Sequence, residues 1–273
     1  MIKAENISYG YKSKHPIFND ISLEIENGIY GLLGENGVGK TTLMSLLCGL
    51  LFPWKGACRI NGRNVAERNP EVLSQYFFLQ EEMQMPSESI SQFAAAHSIF
   101  YPHFNQDEFL QNLEELHMDK SRKLSDVSYG QQKKAMLAYV LALHTPITLL
   151  DEPTNGLDIT SCQALKHIIS RSVEEKSVLL ISTHQVHHFE NLLDHIIILG
   201  EKGILLNRSL DEISARLLFV RTSTLPEASI YSEEELQGYF SIIPNRDGEE
   251  NTPDIELLYK AVLKYPEKIN ALF

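Results

Sequence analysis

Apolar and polar positions fall in alternating blocks along the chain. Short apolar runs stand at Ile29–Leu33, Gln75–Leu79, Ile147–Leu150, Val178–Ser182 and Ile196–Leu199. Each is too short for a helix and is bounded by polar or glycine-containing turns, so each reads as a buried strand. Between them the spacing becomes that of an amphipathic helix, as in Thr160–Lys176, where Leu165, Ile168, Ile169 and Val173 share one face. Strands alternating with helices predict a parallel sheet covered by helices. Two stretches depart from that rule. Residues 1–28 and Gly56–Val65 pattern as twisted antiparallel strands, and residues 82–145 read as almost wholly helical, punctuated by Pro86 and Pro102. Past Gly200 the pattern loosens. Ser209 with Glu212 forms a capping box for a helix through about Phe219, and residues 221–252 are polar and turn-rich. Thr252-Pro253 then opens a last amphipathic helix through about Lys264. The expected organisation is one domain over residues 1–207, with its helical subdomain at about 82–145, and a helical or irregular extension over 208–273.

Composition narrows the function classes. Of 273 residues, 43% are hydrophobic and 22% charged, which is ordinary for a globular protein. The formal net charge of -12 argues against sequence-independent nucleic-acid binding, which needs Lys and Arg to displace phosphate counterions. No apolar run approaches the ~20 residues of a membrane-spanning helix. The opening MIKAENISYGY lacks the basic-then-apolar order of a secretion signal. Cys48, Cys58 and Cys162 form no CxxC pair and read as reduced, buried thiols of a cytoplasmic protein.

The strongest chemical signal is Gly34-Glu35-Asn36-Gly37-Val38-Gly39-Lys40-Thr41-Thr42. It fits G-x-x-x-x-G-K-[ST], follows a predicted strand and precedes the helical run Thr42–Leu51. Glycines let backbone N–H groups turn inward around a β-phosphate, and the helix N-terminus adds a positive dipole end. Lys40 would reach the β- and γ-phosphates of a bound nucleotide, Thr41 would ligate Mg²⁺ and Thr42 would bond the α-phosphate. A second signal is Ile147–Glu152, a buried strand ending in two carboxylates. By itself such a strand end is common and solvated. With a phosphate loop upstream, Asp151 becomes a Mg²⁺ ligand, directly or through water, and Glu152 the group that activates the attacking water.

Residues around these motifs resemble the ABC (ATP-binding cassette) ATPase family over at least residues 1–207. Val127-Ser128-Tyr129-Gly130-Gln131 is similar to the family's signature loop, usually LSGGQ, and stands upstream of Asp151 at the start of a predicted helix, Gln131–Leu143. Gln80 resembles the Q-loop glutamine, Asn155-Gly156-Leu157-Asp158 the D-loop, and His184 the switch histidine. Tyr11 sits where the family places an aromatic ring on adenine, although Tyr9, two residues away, is expected to point the same way. His187 and His188 follow His184 and read as helix-surface residues rather than zinc ligands.

The resemblance implies an α/β fold: a P-loop NTPase with a RecA-like parallel-sheet core, an N-terminal antiparallel β subdomain and an inserted α-helical subdomain. It implies ATP and Mg²⁺ as cofactors, with Thr41, Gln80 and Asp151 at the metal and Glu152, His184 and Gln80 in catalysis. It also implies a head-to-tail dimer with two ATP molecules sandwiched between subunits. Ser128, Gly130 and Gln131 would grip the γ-phosphate held by the facing subunit. Gln80 and His184 sense that phosphate. The implied partner is a separate integral membrane permease, which holds the protein peripherally on the inner face of the cell membrane. The chain looks like the single-cassette subunits of exporter-type permeases, a reading supported by a tail with no repeated strand pattern. Glu81–Pro86, rich in methionine, lies beside the groove where the family docks its permease. A soluble ABC ATPase is the alternative, disfavoured by the net charge and by the lack of a coiled-coil insertion. A subunit that no longer hydrolyses ATP is disfavoured by intact Glu152 and His184. Val127 and Tyr129 depart from the signature pattern, and Thr148 interrupts its apolar strand without evident chemistry.

Overall fold

A computed structural model describes residues 1–12 and 15–273. The chain opens with β1 (Ile2–Tyr9) and β2 (Phe18–Ile25), an antiparallel pair, and crosses into β3 (Gly28–Leu33), which leads through the phosphate loop into α1 (Lys40–Leu47). β4 (Lys55–Ile60) and β5 (Arg63–Asn64) return to the first sheet, whose order is β2-β1-β4-β5. A short α2 (Pro70–Leu73), capped by Asn69, precedes β6 (Tyr76–Leu79). Three helices follow: α3 (Ile90–His97), α4 (Gln106–Glu115) and α5 (Tyr129–Leu141). The chain then re-enters the core through β7 (Ile147–Asp151), α6 (Ile159–Ser172), β8 (Val178–Ser182), β9 (His195–Gly200) and β10 (Gly203–Ser209).

The core sheet has the order β10-β9-β3-β8-β7-β6. All neighbours are parallel except β10, which pairs antiparallel with β9. Every residue of β7 and β8 is buried, as expected for strands covered on both faces. The carboxyl ends of β3, β7 and β8 meet at one edge, where ligands of open α/β sheets bind.

Residues 82–145 are less helical than the sequence predicts. Irregular chain occupies 80–89 and most of 116–128, and in the latter Asp119 turns the backbone by accepting from the Ser121 N–H at 2.9 Å. The three helices pack around Tyr139, whose ring lies 5.3–6.2 Å from those of Phe77, Phe93, Phe104 and Phe109.

The C-terminal segment also departs from expectation. Its first helix, α7 (Leu210–Arg216), carries the Ser209–Glu212 capping box but stops before Phe219. β11 (Leu217–Thr222), β12 (Tyr231–Glu235) and β13 (Gly238–Pro244) form an antiparallel sheet of order β11-β13-β12 where turn-rich or irregular chain was expected. Glu233, Glu234 and Glu235 hide the strand pattern, because β12 is an edge strand and charge on an edge is tolerated. Asp254, rather than Thr252-Pro253, opens α8 (Ile255–Lys264) by accepting from the Leu257 N–H at 2.7 Å, and α9 (Pro266–Asn270) follows. Leu258, Ala261 and Val262 of α8 are buried in the same apolar cluster as Ile196 and Ile198 of β9. Among the described residues no helix is long and apolar enough to cross a membrane.

Candidate functional site

Gly39 N-caps α1 with φ +113°, a conformation that side-chain-bearing residues rarely adopt, and a Cβ there would press on Ile17 and the Phe18 ring. Gly37, at φ +81°, faces open space. The loop therefore curls around a concavity that Lys40 fills: its Nζ donates to the Gly34 carbonyl at 2.8 Å and to the Glu35 carbonyl at 3.3 Å. Val38 turns back on Glu35 through a backbone bond at 3.3 Å, and Asn36 lines the cleft above.

The carboxylates at the end of β7 meet this loop. Asp151, 1% exposed, accepts from Thr41 Oγ1 at 2.6 Å and, through its other oxygen, from Ser182 Oγ. Glu152 stands in the left-handed region at φ +45°, with its N–H donating to the carbonyl and the hydroxyl of Ser182, both at 3.1 Å. One carboxylate oxygen of Glu152 lies 3.8 Å from Lys40 Nζ, and the other accepts from His184 Nδ1 at 2.9 Å. A carboxylate only accepts, so Nδ1 carries the proton and Nε2 accepts from Gln185 at 3.2 Å. These groups line a cleft of about 450 Å³. Thr41 and Asp151 place two hard oxygen donors side by side at its floor, the donor chemistry that Mg²⁺ prefers, so the residues fit the metal.

The Tyr9 and Tyr11 rings lie on the same side and meet edge to face, 5.5 Å between centroids, but differ in exposure. Tyr9 is buried, while Tyr11 is 66% exposed at the cleft mouth, its hydroxyl 3.1 Å from Thr42 Oγ1. Gln80 is not in the cleft. It lies exposed beyond β6 on a neighbouring groove with Phe77, Met83, Met85, Phe93 and Met136. Glu81 enters the cleft instead and accepts from Asn155 Nδ2 at 2.7 Å.

The segment Ser128–Gln131 stands outside the cleft of its own chain. Ser128 N-caps α5, and Gln131 closes the capping box by accepting from the Ser128 N–H at 3.1 Å. Gly130 abuts the Gly156 carbonyl so closely that a Cβ would collide with it. Asp158 N-caps α6 by accepting from the Ser161 N–H at 2.8 Å, and also accepts from Lys134 at 3.0 Å. Hydrogen bonds from Thr160, Ser161 and Lys134 hold its carboxyl well below the usual range. Asp158 does not line the cleft either.

A family model described as ABC transporter matches residues 18–155. An uncharacterized ABC transporter ATP-binding protein of Methanocaldococcus jannaschii is 31% identical over 228 residues, covering 80% of this chain and 81% of that protein. The chain belongs to the ABC transporter ATP-binding family. The ATP-binding protein of a high-affinity zinc uptake system in Bacillus subtilis is 28% identical over 221 residues, covering 74% of this ABC ATPase and 93% of that protein. A putative ABC transporter ATP-binding protein of Lactiplantibacillus plantarum is 26% identical, and the match spans only 43% of that longer protein. Among solved structures, an ATP-binding subunit of an ABC transporter superposes with a TM-score of 0.70 at 24% identity, covering 78% of this chain and 91% of that one. At that identity the likeness shows the P-loop NTPase fold alone.

Three residues of this ABC ATPase escaped sequence reasoning. Glu81, rather than its neighbour Gln80, lines the cleft. Tyr129, read only as a departure from the signature, donates from its hydroxyl to the Glu81 carbonyl at 2.6 Å. Lys133, one turn later, is wholly buried and donates to the Glu152 carbonyl at 2.7 Å. Burial pushes its ammonium pKa down, while the carboxylates of Glu81, Asp151 and Glu152 oppose the shift. The available signal was the position of Lys133 two residues before the apolar run Ala135–Leu143, where a core-facing lysine is costly unless bonded.

Proposed function

We propose that the chain is the ATP-hydrolysing subunit of an ABC transporter, which closes head-to-tail with a second cassette around two ATP molecules and drives a separate membrane permease. The observation that carries this reading is the convergence of Lys40, Thr41, Asp151, Glu152 and His184 on one cleft. In this mechanism the loop N–H groups of Gly34–Gly39 hold the β-phosphate, and Lys40 exchanges the Gly34 and Glu35 carbonyls for phosphate oxygens. Tyr11 leaves Thr42 and stacks on adenine, which frees the Thr42 hydroxyl for the α-phosphate. Thr41 and Asp151, with Gln80 swung in, would hold Mg²⁺, which would supply charge neutralisation on the phosphates. Glu152 takes a proton from the attacking water while His184, through its Nδ1–H, fixes the carboxylate, giving ADP and phosphate.

Ser128 and Gln131 are exposed and lie away from their own cleft, so their grip on a γ-phosphate is available to a facing subunit. ATP then closes the dimer and hydrolysis reopens it. The methionine-lined groove of about 570 Å³ beside Gln80 suits a short permease helix, because flexible thioethers adapt to a docked surface. In this reading the protein sits on the inner face of the cell membrane through its permease. The structured C-terminal sheet removes the argument for export that rested on a tail without strands.

Affinity isolation of tagged Glu152→Gln protein with ATP from detergent-solubilised membranes tests the coupling. A stoichiometric multi-span membrane protein is expected. Soluble partners alone, with the chain absent from membranes, would replace this reading with a cytosolic ABC ATPase.

A further inference from the structure

Lys133 is 0% exposed yet forms no ion pair among the described residues. A charge wholly out of water destabilises a fold unless its hydrogens are bonded. Its partners are the Glu152 carbonyl at 2.7 Å and the Tyr129 hydroxyl at 3.4 Å, with the Tyr129 ring centroid 5.6 Å away. Tyr129 in turn donates to the Glu81 carbonyl at 2.6 Å, and its ring packs on Gly156. The chain of donors thus runs from the start of α5 to the loop after β6 and the turn after β7.

Glu152 needs such support. Its φ of +45° is unfavourable for a residue with a side chain and persists only where surroundings fix it. Ser182 holds its N–H from one side, and Lys133 holds its carbonyl from the other. With both ends of the residue pinned, the carboxylate points at His184 and Lys40.

We propose that Lys133, braced by Tyr129, is the positioning residue for Glu152, and that through this pair a displacement at the start of α5 is felt at the carboxylate. The inference rests on Glu152 being the general base. It gives Tyr129 a role that glycine at that position lacks, since glycine carries neither hydroxyl nor ring.

The test compares wild type with Lys133→Met, Lys133→Gln and Tyr129→Phe. It measures kcat, KM, ATP affinity by equilibrium binding, melting temperature, and amide hydrogen exchange over residues 152–156 without nucleotide. Methionine fills the space but cannot donate, and misplacement of a reacting group by about 1 Å can cost on the order of a hundredfold. Lys133→Met is therefore expected to lower kcat about 10- to 100-fold while KM and ATP affinity stay within about twofold, and exchange at 152–156 quickens. Lys133→Gln, which can still donate to the Glu152 carbonyl, recovers most of kcat. Turnover of Lys133→Met within about twofold of wild type overturns the proposal. So does Lys133→Gln being as slow as Lys133→Met at equal melting temperature. Should Lys133→Met fail to fold, Tyr129→Phe decides, because it removes only a hydroxyl from a partly exposed side chain. A lowered kcat with faster exchange supports the brace, and wild-type values for both overturn it. If wild type itself does not hydrolyse ATP, the functional reading fails, and exchange at 152–156 still judges the hold of Lys133 on Glu152.

Discussion

Glu152 and His184 share a hydrogen bond of 2.9 Å while the second oxygen of Glu152 lies 3.8 Å from Lys40 Nζ. The carboxylate is thus held between an imidazole and the phosphate-loop lysine.

His184→Ala is expected to lower kcat by about a hundredfold with a small change in KM, because general-base chemistry contributes roughly 10²–10⁴ to rate. Steady-state phosphate release checks this. Turnover close to wild type would mean that Glu152 needs no orientation from His184.

Gly130→Ala tests the contact between the start of α5 and the turn after β7. The new methyl meets the Gly156 carbonyl, so one of the two loops must move. Overpacking of this kind costs roughly 1–3 kcal/mol. Denaturant melts should show that loss, and ATP hydrolysis should fall while ATP binding by the monomer is kept.

Asp158 gives a pH signature. Its carboxyl is held low by Thr160, Ser161 and Lys134, so it stabilises the fold above the ordinary aspartate range of about 4. That contribution disappears as pH falls through the depressed folded value. Asp158→Asn is therefore expected to melt below wild type at pH 7, with the gap narrowing in acid. A gap independent of pH would remove the carboxylate from the capping role.

The sequence disclosed the centre of the cleft because its features are local. A strand of apolar residues ends in glycine, and glycines precede Lys40, while Asp151 and Glu152 close a buried strand. Those patterns specify backbone direction directly. Glu81 and Gln80 are both polar and adjacent, so only the path of the chain beyond Leu79 separates them. Lys133 was invisible for a related reason: its acceptor is a backbone carbonyl 19 residues away, which no side-chain pattern reports. The sheet of β11, β12 and β13 hid behind an edge strand of glutamates. The cap of α8 shifted because Thr252 and Asp254 are both good capping residues, and only the Leu257 N–H chooses between them.

Sedimentation of Glu152→Gln protein with and without MgATP tests the central claim most directly. With the base removed and the phosphate loop intact, the chain should pass from monomer to dimer with ATP. It should stay monomeric with ADP, and Ser128→Arg should abolish the shift by blocking the surface that faces the second nucleotide. A Glu152→Gln protein that binds ATP yet remains monomeric at every nucleotide concentration would contradict the account.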